Sequence, residues 1–174
     1  MKTLNKYFEV SEDAEYKLYD DGVGIIIRKG TVNAYDNSRA TVFGGSVYAY
    51  NNVMVKALNN GKVCAYDNSF VIALNNAKVW AYNYAKIKTS DNVLVCAYND
   101  VKVRSLGGGY LDIYNNVKVK IWGDARVNAH DNAFVIVYYA PEVTMCGCSA
   151  KLVAYSNPEQ NEKYDKSRIW LWDK

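Results

Sequence analysis

From Val47 onward an apolar residue opens every eighth position: Val47, Val55, Val63, Val71, Val79, Ile87, Val95, Val103, Leu111, Val119, Val127, Val135 and Val143. The thirteen units follow one another without insertion or deletion and share the pattern V-x-A-Y/L-N/D-N-A-x, clearest in Val63–Phe70 and Val71–Lys78. Positions seven, one and three of each unit are small or β-branched, as in Ala77, Val79 and Ala81, and variable residues separate them. A period of two predicts a strand with one buried face. The pair that follows, such as Asn59-Asn60 or Gly107-Gly108, suits a corner because Asn, Asp and Gly tolerate positive φ. Each unit is therefore one short strand and one corner. A lone strand of this length cannot bury its face, but like units stacked about 4.8 Å apart can. The chain is expected to be an all-β, single-domain β-solenoid, that is, a parallel β-helix.

The fourth position of the unit decides how many strands make one turn. Every second unit carries Tyr50, Tyr66, Tyr82, Tyr98 and Tyr114, then His130 and Cys146, whereas the intervening units carry Leu58, Leu74, Ser90, Leu106, Trp122 and Tyr138. Aromatic and aliphatic residues segregate at a spacing of sixteen. A three-sided coil would mix them, so a flattened coil of two octapeptide strands is expected, with about eight coils and a length of roughly 35 to 40 Å. The repeat runs upstream through a degenerate unit to Val32 and downstream to Leu152–Asn157. Residues 31–157 are expected to form the solenoid, and the non-repeating segments 1–30 and 158–174 its caps, which a stack of strands needs at its ends. The tail residues Ile169, Trp170, Leu171 and Trp172 would fold back on the last coil.

The tandem V-x-A-Y-D-N-A-like units resemble those of uncharacterised bacterial and prophage-type proteins, and more broadly the parallel β-helix class. The resemblance covers Val32 to Asn157. It implies the fold and a phage or bacterial origin, and it carries no catalytic residues over to this chain. The Gly-Gly-x-Gly-x-Asp calcium pattern, a hexapeptide repeat and Thr-x-Thr arrays are all missing from the sequence.

A sixteen-residue coil turns the outward positions beside each opening residue into columns. One sheet would present Lys86 and Lys88, then Lys102 and Arg104, then Lys118 and Lys120, a grid of two cations by three coils. The same columns hold Phe70 and Ile72 before the grid and Phe134 and Ile136 after it, expected as exposed apolar pairs. Like charges stacked a strand apart repel by on the order of 1 kcal/mol even in water. Either an anionic partner offsets that cost, with the Phe and Ile pairs as flanking anchors, or the face is simply a solvated one. The other sheet would be mixed: Ser46 and Tyr48, Lys62 and Cys64, Lys78 and Trp80, Leu94 and Cys96, Tyr110 and Asp112. A partner or self-association surface there would centre on Trp80. The tyrosine column could in principle stack bases, but its regularity marks it as a ladder that stabilises the coils.

Composition narrows the chemistry. A hydrophobic share of 50% in 174 residues suffices for one continuous core, and 16 Tyr and 11 Gly against two Pro favour strands and turns. No stretch has the length of a membrane span or a signal-peptide core, and the four cysteines show no disulfide-scaffold spacing. A cytoplasmic protein of a bacterial or phage-infected cell is expected, with no membrane, cofactor or small-molecule substrate. The net charge of +3 matters only through its distribution. The single histidine, His130, rules out mechanisms that need two, and no nucleophile-elbow or phosphate-loop motif occurs. His130, Cys146 and Cys148 could offer three ligands to zinc, but no fourth is visible and no metal is expected. Asp112, Asp124 and Asp131 would be a sugar-cleaving set only with long loops, which the repeat lacks.

Two functions compete. The first is a non-catalytic, phage-encoded binding protein whose basic sheet engages nucleic acid or an acidic surface of a nucleic-acid-handling complex, for example as a defence-system inhibitor. The alternative is a self-assembling rod that associates through its leucine column, as a homodimer, or through its coil ends.

Overall fold

Alternation of buried and outward residues gives each strand one apolar face, and the chain satisfies these faces by passing back and forth between two sheets. The computed structural model describes residues 8–12, 15–19, 24–138, 142–146, 149–154 and 169–171. Among the described residues one sheet has eleven strands, running from Phe8–Val10 to Ile169–Leu171, and the other has nine, running from Glu15–Leu18 to Glu142–Met145. From Phe8 to Ala154 consecutive strands belong to opposite sheets, Ile169–Leu171 then joins the sheet of Lys151–Ala154, and every pairing is parallel, with Val55 beside Val71, Ile87, Val103, Val119 and Val135 in turn. The described residues contain no helix. The protein is a two-sided β-solenoid of about eight coils.

Between the sheets lies a thin core of Val, Ala and a few Ile and Leu. Val55, Ala57, Val63, Ala65, Val71 and Ala73 are all fully buried. These small residues let the two sheets approach closely, and the core continues without a break from Val10 to Ala154. The segments expected as caps take part in pairing. Phe8–Val10, Glu15–Leu18 and Gly24–Ile27 supply three strands, and Ile169–Leu171 pairs in parallel with Leu152–Ala154.

The coil length is sixteen through the body and departs from it at the ends. Gly24 pairs with Arg39 and Arg39 with Met54, steps of fifteen, whereas Phe134 pairs with Lys151, a step of seventeen. The short steps arise at corners that have lost one residue. At Phe43–Gly45 the chain turns so tightly that a Cβ on Gly45 would lie 2.5 Å from Ile27 Cγ2 and 2.7 Å from the Gly30 carbonyl oxygen. Only glycine fits there.

Most other corners follow one rule. The first residue of each Asn-Asn or Asp-Asn pair has positive φ, from 52° at Asp131 to 62° at Asn51, as do Asn83 before Tyr84 and Asn99 before Asp100, a conformation that these short polar side chains tolerate; at Gly107–Gly108 the positive φ falls one residue later, at Gly109. On the edge that carries the tyrosines the same residues form a second ladder. Asn83 Nδ2 donates to Asp67 Oδ1 at 3.2 Å, Asn99 Nδ2 to Asn83 Oδ1 at 3.4 Å, and the Asn115 amide to Asp131 Oδ2 at 3.1 Å. Beside it, Tyr19, Tyr35, Tyr50, Tyr66, Tyr82, Tyr98, Tyr114 and His130 stack with centroids 4.3 to 5.2 Å apart and planes within 11°. The expected structural ladder is present and two rungs longer than the uninterrupted repeat.

The ladder sets the behaviour of the fold in alkali. Burial, and secondarily neighbouring rings or thiols, pushes the hydroxyls of Tyr50, Tyr66, Tyr82 and Tyr98 above the usual tyrosine value. Tyr114, which donates to Asp112 Oδ2 at 2.8 Å, is pushed up to about 12, first by that bond and then by burial. Raised values mean that the unfolded chain ionises first. Stability is therefore complete below the ordinary tyrosine value of 10 and falls as pH rises towards about 12. An alkaline titration followed by tyrosinate absorbance and circular dichroism should show unfolding inside that window, with ionisation and loss of structure together. Ionisation of the whole ladder in a chain that stays folded would contradict this reading.

A second prediction concerns the core. Thr89 takes the place that Ala73 holds one coil earlier, and its hydroxyl is buried without a hydrogen-bond partner. Leaving a hydroxyl unpaired costs roughly 1–3 kcal/mol. Thr89→Val should raise the unfolding free energy by about 1 kcal/mol, seen as a thermal midpoint about 2–4 °C higher.

Candidate functional site

Register places the cationic grid. The strands Lys86–Thr89, Lys102–Ser105 and Lys118–Ile121 are neighbours in the eleven-stranded sheet, with Lys86 beside Lys102 beside Lys118 and Lys88 beside Arg104 beside Lys120. Ile87, Val103 and Val119 between them are buried, which turns all six cationic side chains outward, and all six are exposed. Phe70 and Ile72 flank the grid on one side and Phe134 and Ile136 on the other. These four were expected to be exposed; the structure has them half-buried. One reason is visible at Phe70, where Lys88 Nζ lies 5.3 Å from the ring centroid. At the edge of the grid, Arg104 lies 5.1 Å from the centroid of Trp122, which stacks on Tyr138 at 4.7 Å. Cation–π contacts thus hold two of the six cations over aromatic rings.

The face extends beyond the grid. Arg39, Lys56 and Lys151 occupy the same two columns, and from Gly24 to Ala154 no outward position of this sheet holds a carboxylate. Among the described residues, none of these nine cations is within ion-pair distance of an acid. The ion pairs that do form are elsewhere, Arg28 with Glu9 at 2.5 Å and Arg126 with Glu142 at 3.0 Å. Seven strand steps, from Arg39–Val42 to Lys151–Ala154, give a cationic track roughly 34 Å long.

On the other sheet, Tyr48, Cys64, Trp80, Cys96 and Asp112 follow one another on adjacent strands, as the spacing predicts. Cys64 and Cys96 are separated by the strand of Trp80, roughly 9–10 Å and beyond disulfide reach. Burial raises both thiols above their ordinary value, with the Asp112 carboxylate adding to the effect at Cys96. A nucleophilic thiolate needs the reverse.

Sequence reasoning missed the partner of His130. Its Nε2 lies 3.0 Å from Asp112 Oδ1, while the other oxygen of that carboxylate accepts the Tyr114 hydroxyl. His130 also stacks on Tyr114 at 4.3 Å, so the Asp112 carboxylate clamps the last two rungs of the ladder together. The signal was present in the sequence: Asp112 precedes Tyr114 by two on one strand and His130 follows one coil later. Cys146 is exposed, Cys148 lies outside the described residues, and no group of three metal-ligating side chains occurs among the described residues. Asp112, Asp124 and Asp131 are dispersed. Asp112 is on a sheet face, Asp131 is in the corner ladder and Asp124 is exposed at the opposite edge. In the leucine column, Leu58 and Leu74 are half-buried, and Ser90 separates them from the exposed Leu106. No helix among the described residues is long and apolar enough to cross a membrane.

The grid has a measurable cost. Lys102 sits between Lys86 and Lys118, and like charges directly opposite destabilise a sheet. Lys102→Gln should raise the thermal midpoint at low salt by the equivalent of a few tenths to about 1 kcal/mol, and the gain should fade near 1 M salt, where charges are screened within about 3 Å. A gain independent of salt would mean that packing, not repulsion, is responsible.

Comparison with known protein families, with curated proteins and with solved structures finds no match to this chain.

Proposed function

We propose that this protein is a non-catalytic binding module whose basic sheet engages the phosphate backbone of a nucleic acid. One observation carries the reading: nine cations share two columns on one face, without a carboxylate among them. A polyanion relieves the mutual repulsion of such columns and gains entropy as its own counterions are released. The long lysine stems absorb any mismatch between strand spacing and phosphate spacing. Phe134, along the track, offers a ring on which an unpaired base stacks, and Phe70 offers another once Lys88 turns to a phosphate, which favours a single strand. Phage origin, and interference with a host complex that handles nucleic acid, are the setting that the repeat resemblance suggests; competition for the nucleic acid would be the means.

The rod alternative has less behind it. Among the described residues, the large exposed apolar side chains of Tyr19, Met54, Tyr84, Leu106 and Tyr110 are scattered over both edges and both faces, so they form no continuous apolar seam.

Binding of a single-stranded oligothymidine, followed by fluorescence anisotropy across a salt series, tests the proposal. Affinity should fall steeply with salt. Each of Lys88→Gln, Arg104→Gln and Lys120→Gln should reduce the log–log slope by about 0.7. The triple charge reversal Lys88→Glu, Arg104→Glu, Lys120→Glu should weaken binding at least tenfold, with the thermal midpoint unchanged or higher. If the reversal variant binds as tightly as the wild type, the face is not the site. If polyglutamate is bound and the oligonucleotide is not, the partner is an acidic protein.

A further inference from the structure

The nine-stranded sheet carries a second feature that the polyanion reading does not use. An open groove of about 450 Å³ lies on its outer surface, lined by Ser46, Tyr48, Lys62, Cys64, Trp80 and the ladder residue Tyr82. Its volume is within the range of small-molecule sites. Its shape follows from register. Tyr48, Cys64 and Trp80 occupy one column on three adjacent strands, so two large rings stand on either side of one small side chain. Their backbones are two strand steps apart, roughly 9.6 Å. Two rings with a third between them at van der Waals separation require roughly 7–8 Å. The gap over Cys64 therefore admits one flat ring.

The neighbouring column supplies charge. Ser46, Lys62 and Lys78 stand beside Tyr48, Cys64 and Trp80 on the same three strands, two residues earlier in each. Lys62 is thus roughly 6.6 Å along the strand from the centre of the slot, and Lys78 is its direct neighbour on the next strand. Apart from the grid on the opposite sheet, this is the one place on the outer faces of the described strands where like charges occupy adjacent rungs. Neither column brings a carboxylate into these three strands; the nearest are Glu15, two strands before Ser46, and Asp112, two strands beyond Trp80. Two ammonium groups and a hydroxyl beside a ring slot suit a compact anion with several oxygens that is attached to a flat ring.

We propose that this groove binds a small ligand in which an aromatic ring carries a terminal phosphate, of the nucleoside monophosphate type, with the ring between Tyr48 and Trp80 and the phosphate against Lys62 and Lys78. The site is on the sheet opposite the cationic grid, so the two can succeed or fail separately. It departs from the expectation that the protein takes no small molecule, because that expectation rested on missing motifs and the groove is built from a repeat.

Calorimetric titration of the full chain with AMP tests it, with adenosine and inorganic phosphate as partial ligands. AMP should bind saturably with one site per chain, and each partial ligand at least tenfold more weakly. AMP should quench tryptophan fluorescence, and Trp80→Phe should remove the quenching while a ring remains in the slot. Cys64→Phe should abolish binding by filling the gap; the column already accommodates Tyr and Trp on either side, so the coil tolerates the change. Lys62→Gln with Lys78→Gln should weaken AMP at least tenfold. The triple reversal at Lys88, Arg104 and Lys120 should leave AMP affinity unchanged. Lack of saturable AMP binding, wild-type affinity in Cys64→Phe, or inorganic phosphate binding as well as AMP would each overturn the proposal.

Discussion

Parallel, in-register pairing at a fixed coil length is the constraint from which the rest of this molecule follows. Once Val55 lies beside Val71 and Val71 beside Ile87, every outward residue has as its neighbour the residue one coil away. Side chains are then about 4.8 Å from their equivalents whatever their chemistry. Aromatic rings accept that distance as stacking, amides accept it as hydrogen bonding, and small apolar residues accept it as packing. Like charges do not, and they remain at the same distance because register cannot slip by one residue without turning the buried face outward.

The stacking interactions are concentrated at the tyrosine edge. There a ring ladder and an Asn/Asp ladder run side by side, closed at one end by the Asp112 clamp on Tyr114 and His130. The opposite edge is looser in sequence, with Leu, Ser, Trp and Phe at the fourth position and glycines where a residue has been lost, as at Gly44–Gly45. With the core and this edge made by other residues, most outward positions of the two sheets are left free to vary, Asp112 and the Arg126–Glu142 pair being exceptions. One sheet uses that freedom for a uniform cationic surface and the other for a mixed one.

The strand period, the sixteen-residue coil, the two sheets and the residues of each column were all legible in the sequence, because a repeat without insertions states its own register. What escaped was whatever depends on departures from the repeat or on side-chain reach. The strand Phe8–Val10 has no unit pattern and joins the sheet through pairing with Ile25–Ile27, a contact that period alone does not announce. The fifteen-residue coils depend on two corners shortened by one residue, Arg28–Gly30 and Phe43–Gly45, both ending in glycine. The Asp112–His130 contact runs diagonally, between residues eighteen apart, and a reading by columns passes over it. The half-burial of Phe70 beneath Lys88 is likewise a matter of how far a lysine folds back. The groove at Trp80 needed the sizes of three neighbours to be weighed together, large, small and large, whereas the sequence drew attention only to the tryptophan.

The arrangement of acids sharpens the meaning of the cations. Along the tyrosine edge the ladder reads Asp36, Asn51, Asp67, Asn83, Asn99, Asn115 and Asp131, so that no aspartate stacks on another and each has an asparagine beside it to donate. The other edge follows suit, with Asp91 above Asn75 and donated to by the Asn75 amide. Within each corner column of the described residues, the repeat thus keeps aspartates at least two coils apart. A chain indifferent to like-charge stacking would show no such spacing. On the eleven-stranded sheet the same chain places three pairs of cations on three successive rungs, although Asn, Thr or Gln at alternate rungs would have kept the face equally soluble without the repulsion. Solubility alone therefore does not account for the grid, whereas the anionic partner proposed above would, by neutralising adjacent rungs at once.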